Sequence, residues 1–377
     1  MRILFGIKAL AAGPGGGAER ILAKISSSLA DRGHEVAVLT FDKPGAQDFY
    51  ALGANVARIR AGIGRTAARS GPLVTAARLH RVRRLARDFS PDVAVGFMHS
   101  SFTVLGMALH GTGIPVIGSE RTSFPHYRSH PFDLAMLLLA QPFLAWMTVN
   151  GHEVRDGFPG FMRNRMTVIP NPVDEAHIRA NPGGGRPKTL LCVGGLRPEK
   201  DHETLIRAFA KVRGDHPGWR LRIVGEGELR PRLAALVKEL GLDAYVELAG
   251  ATASVEQEYR AAQLFALPSV YEGFPNCLAE ALAHGLAAVG FADCPGTNEL
   301  IRTGANGLLV SGADRVGSLA MALDELMGSP AKRRVMAASA APSVAQYSLD
   351  RITDEWEELL RMVASRGRPI ALPGVRQ

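Results

Sequence analysis

Residues 2–40 read RILFGIKALAAGPGGGAERILAKISSSLADRGHEVAVLT, and this stretch predicts the fold class of the chain. It opens with a short apolar run, RILFGI, which is typical of a strand buried in a parallel sheet. A glycine-rich loop separates that run from a predicted helix, which Gly33 ends and whose apolar face consists of Ala18, Ile21, Ile25 and Leu29. A second apolar run, EVAVLT, follows the helix. Strand, helix and strand in this order indicate an α/β fold with a parallel sheet.

The alternation continues to residue 170 and then starts again. Prolines and glycines interrupt the chain at 170–172 and 181–185, where we place the hinge between two domains. We predict two doubly wound, Rossmann-like domains, residues 1–171 and 172–345, followed by a C-terminal helix and tail, residues 346–377. The further strand patterns are DVAVGF, PVIGS, WMTVN and TVIP in the first half, and TLLCVGG, RLRIVG, VELAG, LFALPS, AAVGF and GLLV in the second.

Two more apolar segments are expected to be buried. Residues 134–149 are apolar but short and include Gln141 and Pro142, so we predict a buried helix that runs into a strand, not a membrane span. The C-terminal helix, which we expect to pack back toward the first domain, carries a stripe formed by Ile352, Trp356, Leu359, Leu360 and Val363.

The excess positive charge lies in the first half of the chain. The formal net charge is +8, and residues 1–180 hold 21 Lys/Arg against 13 Asp/Glu, whereas residues 181–377 hold 23 of each. Nine arginines between Arg58 and Arg87 occur without an intervening acid. A basic half suggests an anionic partner, and the alternative is a solvated helix face. No aromatic residues alternate with these arginines, so we expect an anionic membrane surface and no nucleic acid.

The cysteines and the N-terminus bear on the compartment. Cys192, Cys277 and Cys294 form no CxxC motif and no disulfide framework, which fits a reducing environment. Lys8 interrupts the apolar run at the N-terminus, unlike a signal peptide. We therefore expect a cytoplasmic protein, peripheral at the cytoplasmic face of the membrane where the basic half binds it.

Three glycine loops follow predicted strands, which is where α/β sheets bind ligands. GPGGGAER, residues 13–20, could approach a phosphate closely, and it also matches the dinucleotide pattern G-x-G-x-x-G/A. Residues 8–12 separate its first glycine from the strand, which argues against an NAD site. GGLRPEKD presents Arg197 and Lys200, either as a clamp for a diphosphate or as surface charge. VGEGEL, which includes Gly225, could border a base or ribose or serve only as a turn.

A fourth segment, YEGFPNCLAE, places Glu272 and Glu280 on either side of a predicted helix N-terminus. The helix should begin at Pro275 or Asn276 and end at Gly285. Its first N–H groups are then available to a phosphate, and the two carboxylates can accept hydrogen bonds from hydroxyls on either side of it. A nucleotide sugar has this arrangement of diol, diphosphate and sugar hydroxyls. The alternative is a capping glutamate and a surface glutamate. The N–H groups concerned belong to Asn276, Cys277 and Leu278.

Taken together, these segments resemble the retaining glycosyltransferases of family 4, whose GT-B fold consists of two facing Rossmann-like domains. The resemblance covers almost the whole chain and is strongest in SVYEGFPNCLAEALAHGLAAVGF, residues 269–291, which matches the family's two glutamates separated by seven residues. Other matching segments are VGGLRPEKDHETLIRAF, VIPNPVD, RIVGEGELRPRL and GANGLLV. The resemblance implies a hexosyltransferase of the polysaccharide type, which moves a sugar from a nucleotide sugar, expected to be a UDP-sugar, to a glycan or lipid-linked acceptor.

The resemblance also implies roles for single residues. Glu272 would contact the donor sugar, Glu280 the nucleotide ribose and Lys200 the diphosphate. Many relatives carry an arginine at the position of Gly195, and Arg197 is the candidate replacement. The remaining residues expected around the donor are Gly195, Gly225, Gly273, Phe274, Pro275, Asn276, Cys277 and Leu278.

The acceptor side departs from the family pattern. Many relatives carry a histidine after the strand that corresponds to PVIGS, where this chain reads Ser119-Glu120-Arg121. His99 and His126 are the candidates for a catalytic histidine, each with a structural role as the alternative. The residues expected beside the acceptor are Gly16, Gly17, Arg121 and His126.

The sequence offers no obvious metal site, since it contains no Asp-x-Asp pair and no His/Cys cluster with ligand spacing. We therefore expect Lys200, Arg197 and the helix end to neutralise the leaving diphosphate without a metal or other cofactor. Three other functions stay open at this point: a nucleotide-sugar epimerase, an NAD-dependent dehydrogenase, and a nucleic-acid binder, for which the two glutamates have no purpose.

Overall fold

The computed structural model describes residues 1–10, 17–63, 71–176, 179–183, 188–252 and 254–367, and these form two compact units. The first unit comprises Met1–Asn171 together with the helix that begins at Leu349, and the second comprises Pro172–Ser348. Parts of the segments discussed above lie outside the described ranges, among them Gly13, Gly15 and Gly16 of the first glycine loop and Arg65 and Arg69 of the arginine-rich stretch.

The first unit is built on a seven-stranded parallel sheet with the strand order β3-β2-β1-β4-β5-β6-β7. The strands are β1 Arg2–Gly6, β2 Glu35–Thr40, β3 Val56–Arg60, β4 Val93–Phe97, β5 Val116–Ser119, β6 Trp146–Val149 and β7 Met166–Val168. The helices are α1 Gly17–Asp31, α2 Pro72–Phe89, α3 His99–Leu109, α4 Phe124–Ser129, α5 Pro131–Ala140, α6 His152–Asp156 and α7 Gly160–Arg163.

The second unit repeats this design with six parallel strands in the order β10-β9-β8-β11-β12-β13. The strands are β8 Lys188–Val193, β9 Trp219–Val224, β10 Val246–Gly250, β11 Leu264–Leu267, β12 Ala288–Phe291 and β13 Gly307–Val310. The helices are α8 His202–Val212, α9 Arg230–Glu239, α10 Val255–Ala261, α11 Asn276–Ala283, α12 Thr297–Leu300, α13 Arg315–Gly328 and α14 Pro330–Val344, and α15, Leu349–Gly367, follows them and belongs to the first unit.

In both sheets the first strand lies in the interior and the strand order reverses beside it. The reversal falls between β1 and β4 in the first unit and between β8 and β11 in the second. Strands such as β4 and β11 are buried along their whole length, as expected for a sheet covered by helices on both faces. The predicted doubly wound α/β fold is confirmed. Ligands of such sheets bind at the carboxyl ends of the strands that flank the reversal.

The C-terminal helix α15 packs on the first unit, as predicted. Trp356 is fully buried and lies against two aromatic rings of the central strands, 6.4 Å from Phe5 and 6.0 Å from Phe97 between ring centroids. The Glu357 carboxylate accepts a hydrogen bond from His34, 2.8 Å from its Nε2. The predicted apolar stripe is buried along its length at Ile352, Trp356, Leu359, Leu360 and Val363.

Two elements differ from expectation. The segment 134–149 does contain a helix followed by a strand, but only one face of the helix is buried. Leu137 and Ala140 of α5 are fully buried, whereas Leu138 and Leu139 are 43% and 48% exposed. Strand β3 was not predicted, because its sequence VARIR carries two arginines. Arg58 and Arg60 both pair with Asp48, at 2.9 Å and 3.2 Å, and these internal partners allow charged residues on a sheet strand.

Helices long and apolar enough to span a bilayer do not occur in the described ranges.

Candidate functional site

The second unit brings two of the predicted site residues into direct contact. Lys200 lies in a short turn, Pro198–Lys200, after β8, and Glu272 lies in the loop after β11. The Lys200 ammonium donates to the Glu272 carboxylate with Nζ 2.6 Å from Oε1. These loops follow the two strands at which the sheet order reverses, so the ion pair sits where this architecture binds ligands.

The ion pair is shielded from solvent, which changes its electrostatics. Glu272 is 8% exposed and the Lys200 side chain 21%. Burial by itself lowers the pKa of Lys200, but the nearby carboxylates of Glu272 and Glu199 outweigh it and hold that pKa above its ordinary value. Lys200 therefore carries its full positive charge at neutral pH.

Ser269, which the sequence analysis missed, fixes the orientation of Glu272. It is fully buried, and its hydroxyl donates to the same Glu272 oxygen that Lys200 contacts, with Oγ 2.6 Å from Oε1. Within the described part of the chain both hydrogen-bond partners of Glu272 use Oε1. The second oxygen, Oε2, can therefore accept a hydrogen bond from a ligand.

The helix that starts beside Glu272 begins where it was predicted, at Asn276, and Gly285 follows its end with a φ of 78°. One expectation is corrected here. The Leu278 N–H is not free for a phosphate, because it donates to the Pro275 carbonyl over 3.0 Å in a tightened first turn. Burial raises the pKa of the Cys277 thiol to about 12, so this side chain faces the site as a neutral group.

Arg197 occupies the space beside Gly195. A Cβ atom built on Gly195 would lie 3.6 Å from Nε of Arg197. The exposed Arg197 side chain therefore passes over the place where a side chain at position 195 would begin. The role of Arg197 as the second cation of this loop stays a prediction.

His202 holds the same loop from inside the protein. Its Nε2 lies 3.2 Å from the Gly195 carbonyl oxygen, which can only accept, so this nitrogen carries the proton. Its Nδ1 then accepts from the Cys192 thiol over 3.5 Å. Burial lowers the pKa of His202 to about 4, and the imidazole is neutral at physiological pH. This role could not be predicted, because a histidine at the start of a helix has no distinguishing sequence pattern.

The turn after β9 packs against the Gly194–Gly195 loop. Gly225 adopts a φ of +148°, and a Cβ atom there would lie 2.0 Å from the Gly194 carbonyl oxygen. The Leu196 N–H donates to the Glu226 carbonyl over 2.9 Å, and the Glu226 carboxylate pairs with Arg230. Of the two roles left open for this segment, Glu226 thus has that of a turn residue, whereas Gly225 is the contact that brings the two loops together.

Glu280 lies apart from the ion pair, on the next turns of α11. It is half-buried, and its Oε2 accepts a hydrogen bond from the Tyr259 hydroxyl over 2.9 Å. The structure thus gives the two glutamates different surroundings, a lysine and a serine for Glu272 and a phenol for Glu280.

The first unit has its own polar cluster, at the carboxyl ends of β4 and β5. Glu120 is fully buried and accepts from the Tyr127 hydroxyl over 2.5 Å, and that hydroxyl lies 3.1 Å from His99 Nδ1. Asp133 contacts His126 at 3.1 Å and His99 at 3.5 Å. The two candidate histidines therefore share one carboxylate.

Arg121 lies beside this cluster and is held by backbone and aromatic groups. Its Nη1 donates to the Ile169 carbonyl and to the Asn171 side chain, and the guanidinium lies 5.1 Å from the Phe97 ring centroid. Burial lowers the pKa of Arg121 to about 10, with Glu120 acting in the opposite direction, so it stays charged. Gly17, also predicted on this side, is the first residue of α1.

Metal-binding groups of three or more His, Cys, Asp or Glu side chains are not present among the described residues.

Two family models match the chain, one to each half. Residues 15–177 match the model described as Glycosyltransferase Family 4, and residues 187–329 match the model described as Glycosyl transferases group 1.

The chain is also similar to individual known proteins. The chain is 24% identical over 357 residues to an α-1,4-N-acetyl-D-galactosaminyltransferase of Campylobacter jejuni that acts on an undecaprenol diphosphate-linked glycan, covering 92% of this chain and 96% of the relative. It is 40% identical over 203 residues to an exopolysaccharide phosphotransferase of Streptomyces coelicolor. That match covers 54% of this chain but only 21% of the Streptomyces protein.

Among solved structures, Anabaena HepE in complex with UDP-glucose superimposes with a TM-score of 0.76 at 21% identity. The superposition covers 96% of this chain and 100% of HepE, and it shows a shared fold.

Proposed function

The chain belongs to glycosyltransferase family 4, and from that premise we propose that it takes a UDP-sugar and transfers the sugar, with retention of the anomeric configuration, to a glycan or lipid-linked acceptor. The observation that carries the proposal is the buried ion pair of Lys200 and Glu272 beside the strand reversal of the second unit. The cation and the carboxylate complement the two parts of a nucleotide sugar, since its diphosphate is anionic and the hydroxyls next to it are neutral hydrogen-bond donors.

Lys200 suits the leaving diphosphate. Cleavage of the bond between sugar and diphosphate leaves negative charge on the phosphate oxygen, and a fixed cation in a shielded site stabilises that charge more than one in water. Arg197, which lies over Gly195 in the same loop, would add a second cation. The N-terminus of α11 would contribute its partial positive charge from the other side.

Glu272 suits a sugar hydroxyl. Its Oε1 already accepts from Lys200 and Ser269, whereas Oε2 can accept from a ligand. A hydroxyl of the sugar bound there would be held within reach of the same lysine that faces the phosphate. The Glu272 carboxylate would then both bind the sugar and position the lysine that stabilises the leaving diphosphate. Glu280 would serve the ribose.

The acceptor half of the proposal rests on the Campylobacter relative, whose name specifies a polyprenyl diphosphate-linked glycan and whose length this chain nearly spans. Arg121 and the cluster of His99, His126 and Asp133 are the groups of the first unit that we assign to this acceptor. The Streptomyces relative does not supply an alternative reaction, because the match covers a fifth of that protein.

The test begins with the donor. Purified protein is heated with UDP, GDP and ADP sugars, and a true donor at a hundredfold excess over its Kd should stabilise the protein by roughly 2.7 kcal/mol. The stabilising donor is then incubated with a polyprenyl diphosphate-linked glycan, and the product is analysed by NMR. A new glycoside with the donor's anomeric configuration supports the proposal. An isomerised donor without a glycoside would indicate an epimerase, and an inverted product would contradict retention.

The same assay tests the expectation that no divalent metal is needed. Lys200, Arg197 and the N-terminus of α11 provide positive potential where a metal would otherwise act. Initial rates should therefore be equal with and without excess EDTA. A rate that collapses in EDTA and returns with Mg²⁺ or Mn²⁺ would overturn this expectation and make Glu272 and Glu280 candidate ligands.

A further inference from the structure

Arg315, the first residue of α13, connects the two loops that carry the ion pair. Its Nε donates to the Asp201 carboxylate with a distance of 2.9 Å to Oδ2. Its Nη2 donates to the backbone carbonyls of Pro268 and Ser269, at 2.5 Å and 3.2 Å. One guanidinium thus bonds to the residue that follows Lys200 and to the segment that leads into Glu272.

The guanidinium is itself held in place. Its central carbon lies 3.7 Å from the centroid of the Phe291 ring, and Phe291 is fully buried at the end of β12. The N-terminal cap of α13 is formed by Asp314, which accepts from the Gly317 N–H over 2.9 Å. A stacked cation on a capped helix is a rigid anchor, because both the ring face and the helix restrict its movement.

Asp201 needs such an anchor. Its backbone lies in the left-handed region, with φ 47° and ψ 43°, which non-glycine residues adopt at a cost. Its carboxylate also accepts from the Thr204 N–H, 3.4 Å away, as the N-cap of α8. The bond from Arg315 holds this strained residue, and with it the position of the preceding lysine.

On the other loop, Arg315 acts next to the serine that orients the glutamate. It binds the Ser269 carbonyl, while the Ser269 hydroxyl donates to Glu272. A further backbone bond, from the Val270 N–H to the Glu199 carbonyl over 2.9 Å, joins the same two loops. The described residues thus connect the two loops through the ion pair of Lys200 and Glu272, the backbone bond from Val270 to Glu199, and Arg315. Only the connection through Arg315 uses a side chain that lies outside both loops.

We propose that Arg315 is a positioning residue that sets the distance between Lys200 and Glu272, and so the alignment of the cation and the carboxylate on the donor. The role of the pair toward the donor rests on the proposed function, whereas the effect of Arg315 on the pair does not. Lysine cannot replace it, since the arrangement uses Nε of a planar guanidinium for a carboxylate, Nη2 for two carbonyls and the guanidinium face for an aromatic ring.

The first experiment needs no sugar transfer. The rate at which an acetylating reagent modifies Lys200 is measured by peptide mass spectrometry in the wild-type protein and in Arg315→Met and Arg315→Lys. If the pair loosens, Lys200 loses the partner that raises its pKa, and one unit of pKa corresponds to about tenfold more neutral amine. We expect both variants to show Lys200 modified about tenfold faster.

The control is Arg213→Met. Arg213 also stacks on an aromatic ring of the second unit, 3.7 Å from the centroid of Tyr245, but it follows the opposite end of α8. It should leave the Lys200 rate unchanged. Unchanged Lys200 reactivity in folded Arg315→Met would overturn the proposal. If that variant does not fold, Asp201→Asn serves in its place, and the same absence of effect would count against the proposal.

The second experiment uses turnover. A positioning role predicts that kcat falls in Arg315→Lys while KM for the donor changes little, and that combining it with Asp201→Asn adds no further loss. Additive losses in the double variant would show that Arg315 does not act through Asp201. A wild-type protein without turnover would contradict the proposed function and leave the acetylation result to decide the role of Arg315.

Discussion

One carboxylate oxygen of Glu272, Oε1, accepts two hydrogen bonds, and the other, Oε2, can accept one from a ligand. We can therefore predict the effect of changing this carboxylate. Glu272→Gln replaces the charged acceptor with a neutral amide of the same shape. We expect kcat to fall roughly ten- to a hundredfold, because a charge-assisted hydrogen bond contributes about 1.5–3 kcal/mol. Affinity for UDP alone, measured by calorimetry, should stay near the wild-type value.

The matched control is Glu228→Gln, an exposed glutamate of the same unit in the turn after β9. It should turn over like the wild type. A folded Glu272→Gln enzyme with a normal rate would remove Glu272 from the site.

The buried His202 should make the stability of the protein depend on pH. Its pKa is lowered to about 4 by burial, whereas an unfolded histidine titrates near 6.5. Between these values the unfolded chain binds more protons, so stability is complete above about pH 6.5 and declines as the pH falls toward 4. The loss can reach about 3 kcal/mol, since each pKa unit is worth about 1.4 kcal/mol.

Urea unfolding at several pH values between 4 and 7 measures this slope. In His202→Gln the slope should be smaller by the contribution of one proton, and a glutamine can still donate to the Gly195 carbonyl. The exposed His80→Gln is the control and should keep the wild-type slope. Identical slopes in wild type and His202→Gln would show that His202 is not the group responsible.

At the scale of elements, the contact between the turn after β9 and the loop after β8 depends on the absence of a side chain. Gly225→Ala would place a methyl group 2.0 Å from the Gly194 carbonyl oxygen. Neither backbone can move without displacing the loop that carries Arg197 and Lys200. We expect a lower melting temperature and weaker donor binding, both measurable by a thermal-shift titration.

Gly241→Ala separates crowding from backbone strain. Gly241 also has a positive φ, 66°, but a Cβ there meets no atom within 4 Å. It should cost only the 1–2 kcal/mol or so of a left-handed residue with a side chain. Equal losses of stability in the two variants would mean that the close approach of the loops has no energetic weight.

The sequence predicts elements well where hydrophobic pattern and burial agree. Strands β4 and β11 are apolar and buried along their whole length, so each could be predicted from its continuous apolar sequence. Strand β3 escaped because its arginines are neutralised by acids that lie elsewhere in the chain. The exposed face of α5 was not predicted, because periodicity shows which residues are apolar but not which of them a neighbouring element covers.

The same limit applies to the candidate site. Lys200 and Glu272 each stood out in a strand-end loop, but their contact spans 72 positions of the chain and appears only in the folded structure. Ser269 and Arg315 carried no signal, because a serine before a turn and an arginine at a helix start are ordinary. Residues that act by direct chemistry are thus easier to find in a sequence than those that hold them in place.

At the scale of the whole molecule, the structure reduces the number of arginines that are available for the predicted binding to an anionic membrane. Arg58 and Arg60 are engaged in internal ion pairs, and Arg83 donates to the Ala108 and His110 carbonyls. Arg84 and Arg87 are exposed on α2, the helix whose first turn also exposes Leu73. Among the described arginines of this stretch, those that can meet an anionic surface are therefore fewer than the sequence suggested.

We expect sedimentation with anionic vesicles that fades as salt is added, since each Lys or Arg near such a surface contributes about 1 kcal/mol and salt screens it. The double variant Arg84→Glu and Arg87→Glu should abolish it. The control, Arg220→Glu and Lys238→Glu, makes the same charge change on exposed residues of the second unit. Equal binding to neutral vesicles, or equal loss in both variants, would leave the arginines of α2 as a solvated face.

The return of α15 to the first unit has a consequence for synthesis. Ribosomes emit residues 172–348 complete before they emit Trp356, which fills the space against Phe5 and Phe97. The unit that begins first is thus finished last, and until then two aromatic rings of its central strands lack their cover. A chain truncated after residue 348 and released from the ribosome should therefore contain a folded second unit and an incomplete first one, in which Phe5 and Phe97 lack the packing of Trp356.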